Sequence, residues 1–183
     1  LVLLILKQPN LSTAALSGLL IWLMAFSAGL PLFQLFGTAI GGALLGTASI
    51  LINEYQRLRV ISFLNPWKDP QGDGYQLIQS LLAIGSGGVF GQGFGLSTQK
   101  LQYLPIQSTD FIFAVYAEEF GLVGSLLLLL FLMLIGYLGL RVALRCRSNQ
   151  ARLVAIGCAA LLVGQSVMNV AVASGAMPTT GLP

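Results

Sequence analysis

The 183 residues contain no histidine, two cysteines, and nine basic against six acidic side chains. Without histidine there is no imidazole to act as a base and no Cys/His metal set. Cys146 falls in a short connector and Cys158 in an apolar run, so neither is placed for a disulfide; both read as small buried or interfacial residues. Charged side chains make up 8% of the chain, where a soluble domain carries about a quarter. With a mean hydropathy of +0.85, a soluble globular domain is excluded. The net charge of +3 comes from one short stretch and not from a basic face, so no nucleic-acid partner is expected.

What fills the chain is hydrocarbon. Lys7 and Glu54 bracket 46 residues without a charge, 21 more run uncharged from Phe120 to Leu140, and none is charged after Arg152. A spanning helix needs about 20 apolar residues, so the expected fold is an all-α polytopic membrane protein with about five transmembrane helices. The expected spans are a partial one at 1–6, then 13–30, 33–52, 111–140 and 153–176. The second ends at Gly29-Leu30-Pro31, where proline cannot continue a helix. Small residues in the third (Gly37, Gly41, Gly42, Ala43, Gly46) allow close helix contact. The fourth, at about 45 Å, is long enough for its first turns to stand above the hydrocarbon. The chain opens on Leu1–Leu6 with no Met and no charged signal region, and stops at Pro183 in a loop-like stretch, so an internal fragment of a longer protein is expected.

Arg141, Arg145, Arg147 and Arg152 crowd the connector 141–152 without an acid, which marks it as cytoplasmic. Counting outward places 53–110 on the opposite face as one long extracytoplasmic loop. That loop holds four acids (Glu54, Asp69, Asp73, Asp110) and four bases (Arg57, Arg59, Lys68, Lys100), more than half of all the charges. Ionisable groups gathered in one segment of a membrane protein mark where its chemistry is expected. Within the loop, Tyr75–Ile84 is apolar at helical spacing and reads as an interfacial or re-entrant helix. The glycines 85, 87, 88, 91, 93 and 95 fail the spacing of a phosphate-cradling loop and lack a preceding strand, which leaves tight turns as their expected use.

Asp110 falls where loop becomes helix, and two roles compete for it. Ser108-Thr109-Asp110 has the form of a helix cap. A carboxylate at a partly desolvated membrane surface is also suited to act as a general base. Glu118 and Glu119 follow about two turns on, roughly 12 Å along the axis. Adjacent glutamates so near a membrane core call for basic partners, and Lys100, Arg57, Arg59 or Lys68 can supply them. The same bases can instead receive an anionic substrate such as a pyrophosphate.

Taken in order, the pieces Asn65-Pro66-Trp67-Lys68-Asp69-Pro70, Gly72-Asp73-Gly74-Tyr75-Gln76, Gly85-Ser86-Gly87-Gly88, Gln99-Lys100-Leu101-Gln102-Tyr103-Leu104-Pro105, Thr109-Asp110-Phe111 and Ala117-Glu118-Glu119 form a specific pattern. Gln8-Pro9 precedes them and Pro178-Thr179-Thr180-Gly181-Leu182 closes the chain. The whole resembles the SEDS family (shape, elongation, division and sporulation: FtsW, RodA and SpoVE), and its motifs look more like those of the division member than of the elongation member.

The resemblance implies a ten-span membrane protein of which this is roughly the second half. It implies a peptidoglycan glycosyltransferase that polymerises lipid II with release of undecaprenyl pyrophosphate. Asp110 matches the family's catalytic aspartate. Lys100, Arg59, Arg57, Lys68, Gln99 and Glu119 are the candidate substrate-binding residues, chosen by location. No cofactor is certain, and a divalent cation (Mg or Mn) at the pyrophosphate is compatible with the chemistry. The implied partners are lipid II, a class B penicillin-binding protein transpeptidase and other divisome membrane proteins. Two departures stand out: Asn10 replaces a usual Asp after Gln8-Pro9, and Ser108 replaces a frequent His before Thr109-Asp110. A lipid II transporter and a non-catalytic scaffold for the transpeptidase are the competing readings. The spans offer a transporter only Gln165, Asn169 and scattered hydroxyls, with no charge at mid-membrane depth.

Overall fold

The computed structural model describes residues 11–72, 74–97 and 111–179. Every regular element among them is helical: α1 (Leu11–Ser27), α2 (Leu32–Ile52), α3 (Glu54–Leu64), a 3₁₀ turn (Pro66–Lys68), α4 (Tyr75–Gly87), α5 (Ile112–Arg145) and α6 (Asn149–Ala173). Three of these, α2, α5 and α6, are long and apolar enough to cross a membrane, and Thr13–Ser27 is a shorter apolar helix. Their outward faces carry large exposed side chains such as Phe33, Leu44, Phe131 and Leu162, as a lipid-facing helix does. The fold is that of an all-α polytopic membrane protein. The partial span at 1–6 lies outside the described residues.

Helix boundaries depart from the expected spans for local reasons. α1 stops at Ser27, because Gly29 adopts φ +87° and the chain closes with Leu30 N–H donating to the Ala25 carbonyl at 3.2 Å. α6 ends by the same device, with Gly175 at φ +70° and Ala176 N–H on the Ala171 carbonyl at 2.7 Å. The expected connector 141–152 shrinks to 146–148, since Arg141 and Arg145 extend α5 while Asn149 begins α6. Arginine, leucine and alanine are good helix formers, so the helix outlasts the hydrocarbon. Within 53–110, expected as a loop with one helix, the structure adds a second. Glu54 to Leu64 (EYQRLRVISFL) continues the chain after a single extended residue, Asn53. Glu54 in its first turn suits a helix N-terminus; its weak amphipathic pattern hid it.

The chain divides into two compact units, Leu1–Gln56 with Leu132–Gln165, and Arg57–Phe131 with Ser166–Pro183. In the first, α1 runs antiparallel to α6: a methyl at Gly157 would touch Met24 and one at Gly164 would touch Leu16. The end of α5 towards Arg145 runs antiparallel to α6 as well, and a Cβ at Gly139 would fall 2.5 Å from that of Ala159. The Trp22 indole N–H donates to the Leu35 carbonyl at 3.0 Å, tying α1 to α2. Between these two helices lies an apolar groove of about 800 Å³, left open by small residues such as Ala14, Gly18, Ala39 and Gly42.

The second unit holds a buried cluster: Ala83 of α4, Phe111, Phe113, Ala114 and Ala117 at the head of α5, and Val172 and Ala173 of α6. The Ser80 hydroxyl, fully buried, donates to the Ala173 carbonyl at 2.7 Å and so satisfies an orphan carbonyl at the end of α6.

Candidate functional site

The excess length of the expected fourth span has a structural cause: α5 is broken. Gly121 sits at φ +65°, ψ −162°, inside what is otherwise continuous helix. The leading piece runs from Ile112 to Phe120. The trailing piece from Leu122 to Arg145 is about 36 Å long, close to a hydrocarbon thickness.

A broken helix exposes backbone carbonyls on one side and N–H groups on the other, and leaving these unpaired costs several kcal/mol each in lipid. Here the glycine-rich stretch after α4 crosses the break and answers both sides. Gln92 and Gly93 donate their N–H groups to the carbonyls of Glu118 and Glu119, at 2.9 and 3.1 Å. The carbonyls of Gly88 and Val89 accept from Leu122 and Val123, at 2.9 and 3.1 Å. Such backbone-to-backbone contact leaves no room for side chains. A Cβ on Gly87 or Gly91 would lie 2.1 Å from a carbonyl oxygen, that of Ala117 or of Glu119. The expected tight turns are therefore only part of the account. Gly91, Gly93 and Gly95 do take positive φ, but Gly87, Gly91 and Gly121 are required by close approach of two chains.

Side chains brace the same junction. The Tyr116 hydroxyl bridges the break to the Gly124 carbonyl at 3.2 Å, and its ring stacks on Phe120 at 4.7 Å. Gln92 Nε2 donates to the Ser86 carbonyl at 2.7 Å, closing the end of α4. Glu118 and Glu119 are both buried here. Basic partners are expected for these acids; among the partners of Glu118 is a hydroxyl, Ser97 Oγ, which donates to Oε2 at 2.5 Å. Ser97 is fully buried. Nothing in Gly95-Leu96-Ser97-Thr98 singles it out by sequence. Gly121, by contrast, is visible as a glycine directly after Glu118-Glu119-Phe120.

The other candidates separate. Asp110, Lys100 and Gln99 lie outside the described residues. Arg57 and Lys68 are exposed, and Arg59, half-buried, donates from a guanidinium nitrogen to the Thr179 carbonyl at 3.2 Å. That bond joins α3 to the Pro178-Thr179 stretch, a link between distant motifs that spacing cannot show. Asp69, exposed, shapes the turn into α4: its carboxylate accepts from Gly72 N–H at 3.1 Å and its carbonyl from Gly74 N–H at 3.2 Å. Cys158, expected buried or interfacial, is exposed on α6, while Cys146 is intermediate and bonds the Val142 carbonyl. Among the described residues no three of His, Cys, Asp or Glu gather as a cation's ligands.

The geometry defines a class: a multi-pass helical membrane protein whose long inter-span segment folds back as helices and clamps a broken span beside two buried glutamates. The full chain, residues 1–183, matches the FtsW/RodA/SpoVE model, described as a cell cycle protein. It is 62% identical over 179 residues to the "Probable peptidoglycan glycosyltransferase FtsW" of Synechocystis sp., covering 98% of this chain and 46% of that protein. It is 38% identical over 180 residues to the "Stage V sporulation protein E" of Bacillus subtilis, covering 98% and 49%. A solved chain described under "Structural coordination of polymerization and crosslinking by a peptidoglycan synthase complex" superimposes with a TM-score of 0.74 at 32% identity. The match covers 99% of this chain and 50% of that one. The chain thus spans about half the length of the relatives it matches, and it belongs to the FtsW/RodA/SpoVE family.

Proposed function

We propose that the protein is a peptidoglycan glycosyltransferase that polymerises lipid II in the bacterial cytoplasmic membrane, working at the division septum. Beside it we place a class B penicillin-binding protein and other divisome membrane proteins. The observation that carries this reading is the 62% identity, across 98% of the chain, to a relative named for that activity. The helical clamp on α5 supports it, because a surface reaction needs a rigid platform.

In the proposed reaction, Asp110 accepts the proton of the acceptor sugar's 4-hydroxyl. The freed oxygen attacks the anomeric carbon of the donor glycan, the bond to the pyrophosphate oxygen breaks, and undecaprenyl pyrophosphate departs with inversion at carbon. One well-placed carboxylate suffices on the nucleophile's side. The departing pyrophosphate needs positive charge; Lys100, Arg59 and Arg57 are assigned that role, with Lys68, Gln99 and Glu119 in the surrounding substrate site. A guanidinium carries five donors, so the contact of Arg59 with Thr179 is compatible with an anion at its other edge.

The test compares the full-length native protein with its Asp110→Asn variant, each with the transpeptidase partner present but blocked, on labelled lipid II. Asparagine keeps the size and still caps a helix, so the comparison isolates the carboxylate. The expected loss is at least about a hundredfold in glycan polymer. Equal polymer from both would leave Asp110 as a cap. Lipid II crossing vesicles with no polymer from either would favour the transporter reading.

A further inference from the structure

The turn that crosses the break in α5, from Gly88 to Leu96, exposes Val89, Phe90, Phe94 and Leu96, the two phenylalanines at 84% each. These side chains gather at the break itself. The Val89 carbonyl accepts from Val123 N–H at 3.1 Å, and the Phe90 backbone passes 2.8 Å from where a Cβ on Gly121 would stand. The Phe94 ring is set against Phe120 at 6.1 Å. Leu122 and Val123, also exposed, continue the same apolar surface onto the trailing piece of α5. No residue from Gly74 to Ser97 or from Phe120 to Leu140 is charged. Gln92, the polar side chain of the turn, directs its Nε2 to the Ser86 carbonyl, and the N–H groups of Gly91, Gln92, Gly93 and Leu96 all donate within the chain.

Position along α5 indicates what covers this face. Arg141, the first charge after the break, comes 20 residues beyond Gly121. That is about 30 Å of helix, the thickness of a hydrocarbon core. With Arg141 at one headgroup boundary, Gly121 stands at the other. A turn in water would leave four large apolar side chains solvated beside a lipid-facing helix. A turn at the boundary between headgroups and acyl chains buries them, and its bonded backbone and missing charge suit that depth. We propose that Val89, Phe90, Phe94 and Leu96 form a wedge seated in the lipid leaflet at the Gly121 end of α5, anchoring the turn to the bilayer without crossing it. Each ring moved from water into hydrocarbon favours the seated turn by about tenfold to a hundredfold. The contact is independent of the glycosyltransferase reading: lipid covers a segment that the charge pattern alone assigns to an extracytoplasmic loop.

The experiment uses the full-length native protein in vesicles of phosphatidylethanolamine and phosphatidylglycerol, without lipid II, so the proposed reaction has no part in the outcome. A diazirine carried on an acyl chain labels side chains in lipid, hydroxyl radicals label those in water, and mass spectrometry locates both. Phe131, exposed on the trailing piece of α5, is the lipid reference; Trp67, exposed beside Lys68 and Asp69, is the water reference. Phe90 and Phe94 are expected to take at least about tenfold more lipid label than Trp67 and to be shielded from the radicals. Radical attack on both rings without lipid label would overturn the proposal. So would neither label, which would mean that the rest of the full-length chain covers the face. Lipid label that vanishes when the transpeptidase partner is added would overturn it in favour of a protein contact. A second arm replaces both rings, Phe90→Gln with Phe94→Gln. Lipid label at Val89 and Leu96 should then fall at least about threefold while Phe131 is unchanged; an unaltered label would show that the rings do not hold the turn in lipid. Where the double variant does not fold, labelling of the native protein still decides the contact.

Discussion

Gly91→Ala is the sharpest test of the clamp across α5. Two costs add at that position. Gly91 takes φ +83°, where a side chain costs about 1–2 kcal/mol. The added Cβ would also lie 2.1 Å from the Glu119 carbonyl oxygen, where real Cβ atoms stay beyond 3.0 Å. That oxygen is backbone and cannot rotate aside. The loop must lift from the helix, and the bonds Gln92 N–H to Glu118 and Gly93 N–H to Glu119 lengthen with it. Each contributes about 1 kcal/mol net, and more where no water replaces it. The sum is about 3–5 kcal/mol. Two other glycines separate the contributions. Gly95 has φ +79° and open space, so Gly95→Ala should cost the conformational part alone, about 1–2 kcal/mol. Gly85 lies inside α4 with nothing near its Cβ, and Gly85→Ala should stabilise by about 0.5–1 kcal/mol. Reversible unfolding of the full-length protein in mixed micelles measures all three. If Gly91→Ala proves no worse than Gly95→Ala, the two chains do not approach as closely as the clamp requires.

Three further substitutions, with one control, probe other joints, each read by the same unfolding measurement. Ser80→Ala removes the buried hydroxyl that meets the Ala173 carbonyl and should cost about 1–2 kcal/mol; a neutral outcome would mean α4 is not tied to the end of α6. Gly139→Val adds a Cβ that would lie 2.5 Å from that of Ala159, with two methyls beyond it, for an expected loss of about 1–3 kcal/mol. Gly42→Ala, in open space on α2, should be harmless by comparison. Trp22→Phe keeps one aromatic ring but drops the five-membered ring whose N–H reaches Leu35, so about 1 kcal/mol should be lost with the hydrogen bond, and a loss far larger would point to packing.

Much of this protein was legible in its residues. The absence of charge from Gln8 to Asn53 and from Phe120 to Leu140 dictates helices, because a backbone in lipid must satisfy its own polar groups, and a run of about 20 residues sets their length. Pro31 and Gly29 announced the end of α1, and Tyr75–Ile84 announced α4, whose observed range is Tyr75–Gly87. The motif order around Asp110 carried the family. The α3 helix was missed, because a short helix with a weak pattern draws its stability from what it packs against. The connector after Leu140 was drawn too long, because hydropathy marks where lipid ends and not where a helix ends.

What the residues determined alone was composition-driven: a membrane protein, its apolar helices, and the segment where its ionisable groups collect. These follow from local periodicity and solvent preference, which each stretch of chain carries within itself. Only the tertiary structure decided that α5 breaks at Gly121, that the stretch from Gly88 to Gly93 repairs it, and that Glu118 meets Ser97 across 21 residues. Those contacts pair backbone groups with partners far along the chain. A glycine needed because another backbone passes within van der Waals distance looks, in sequence, the same as one needed for a turn.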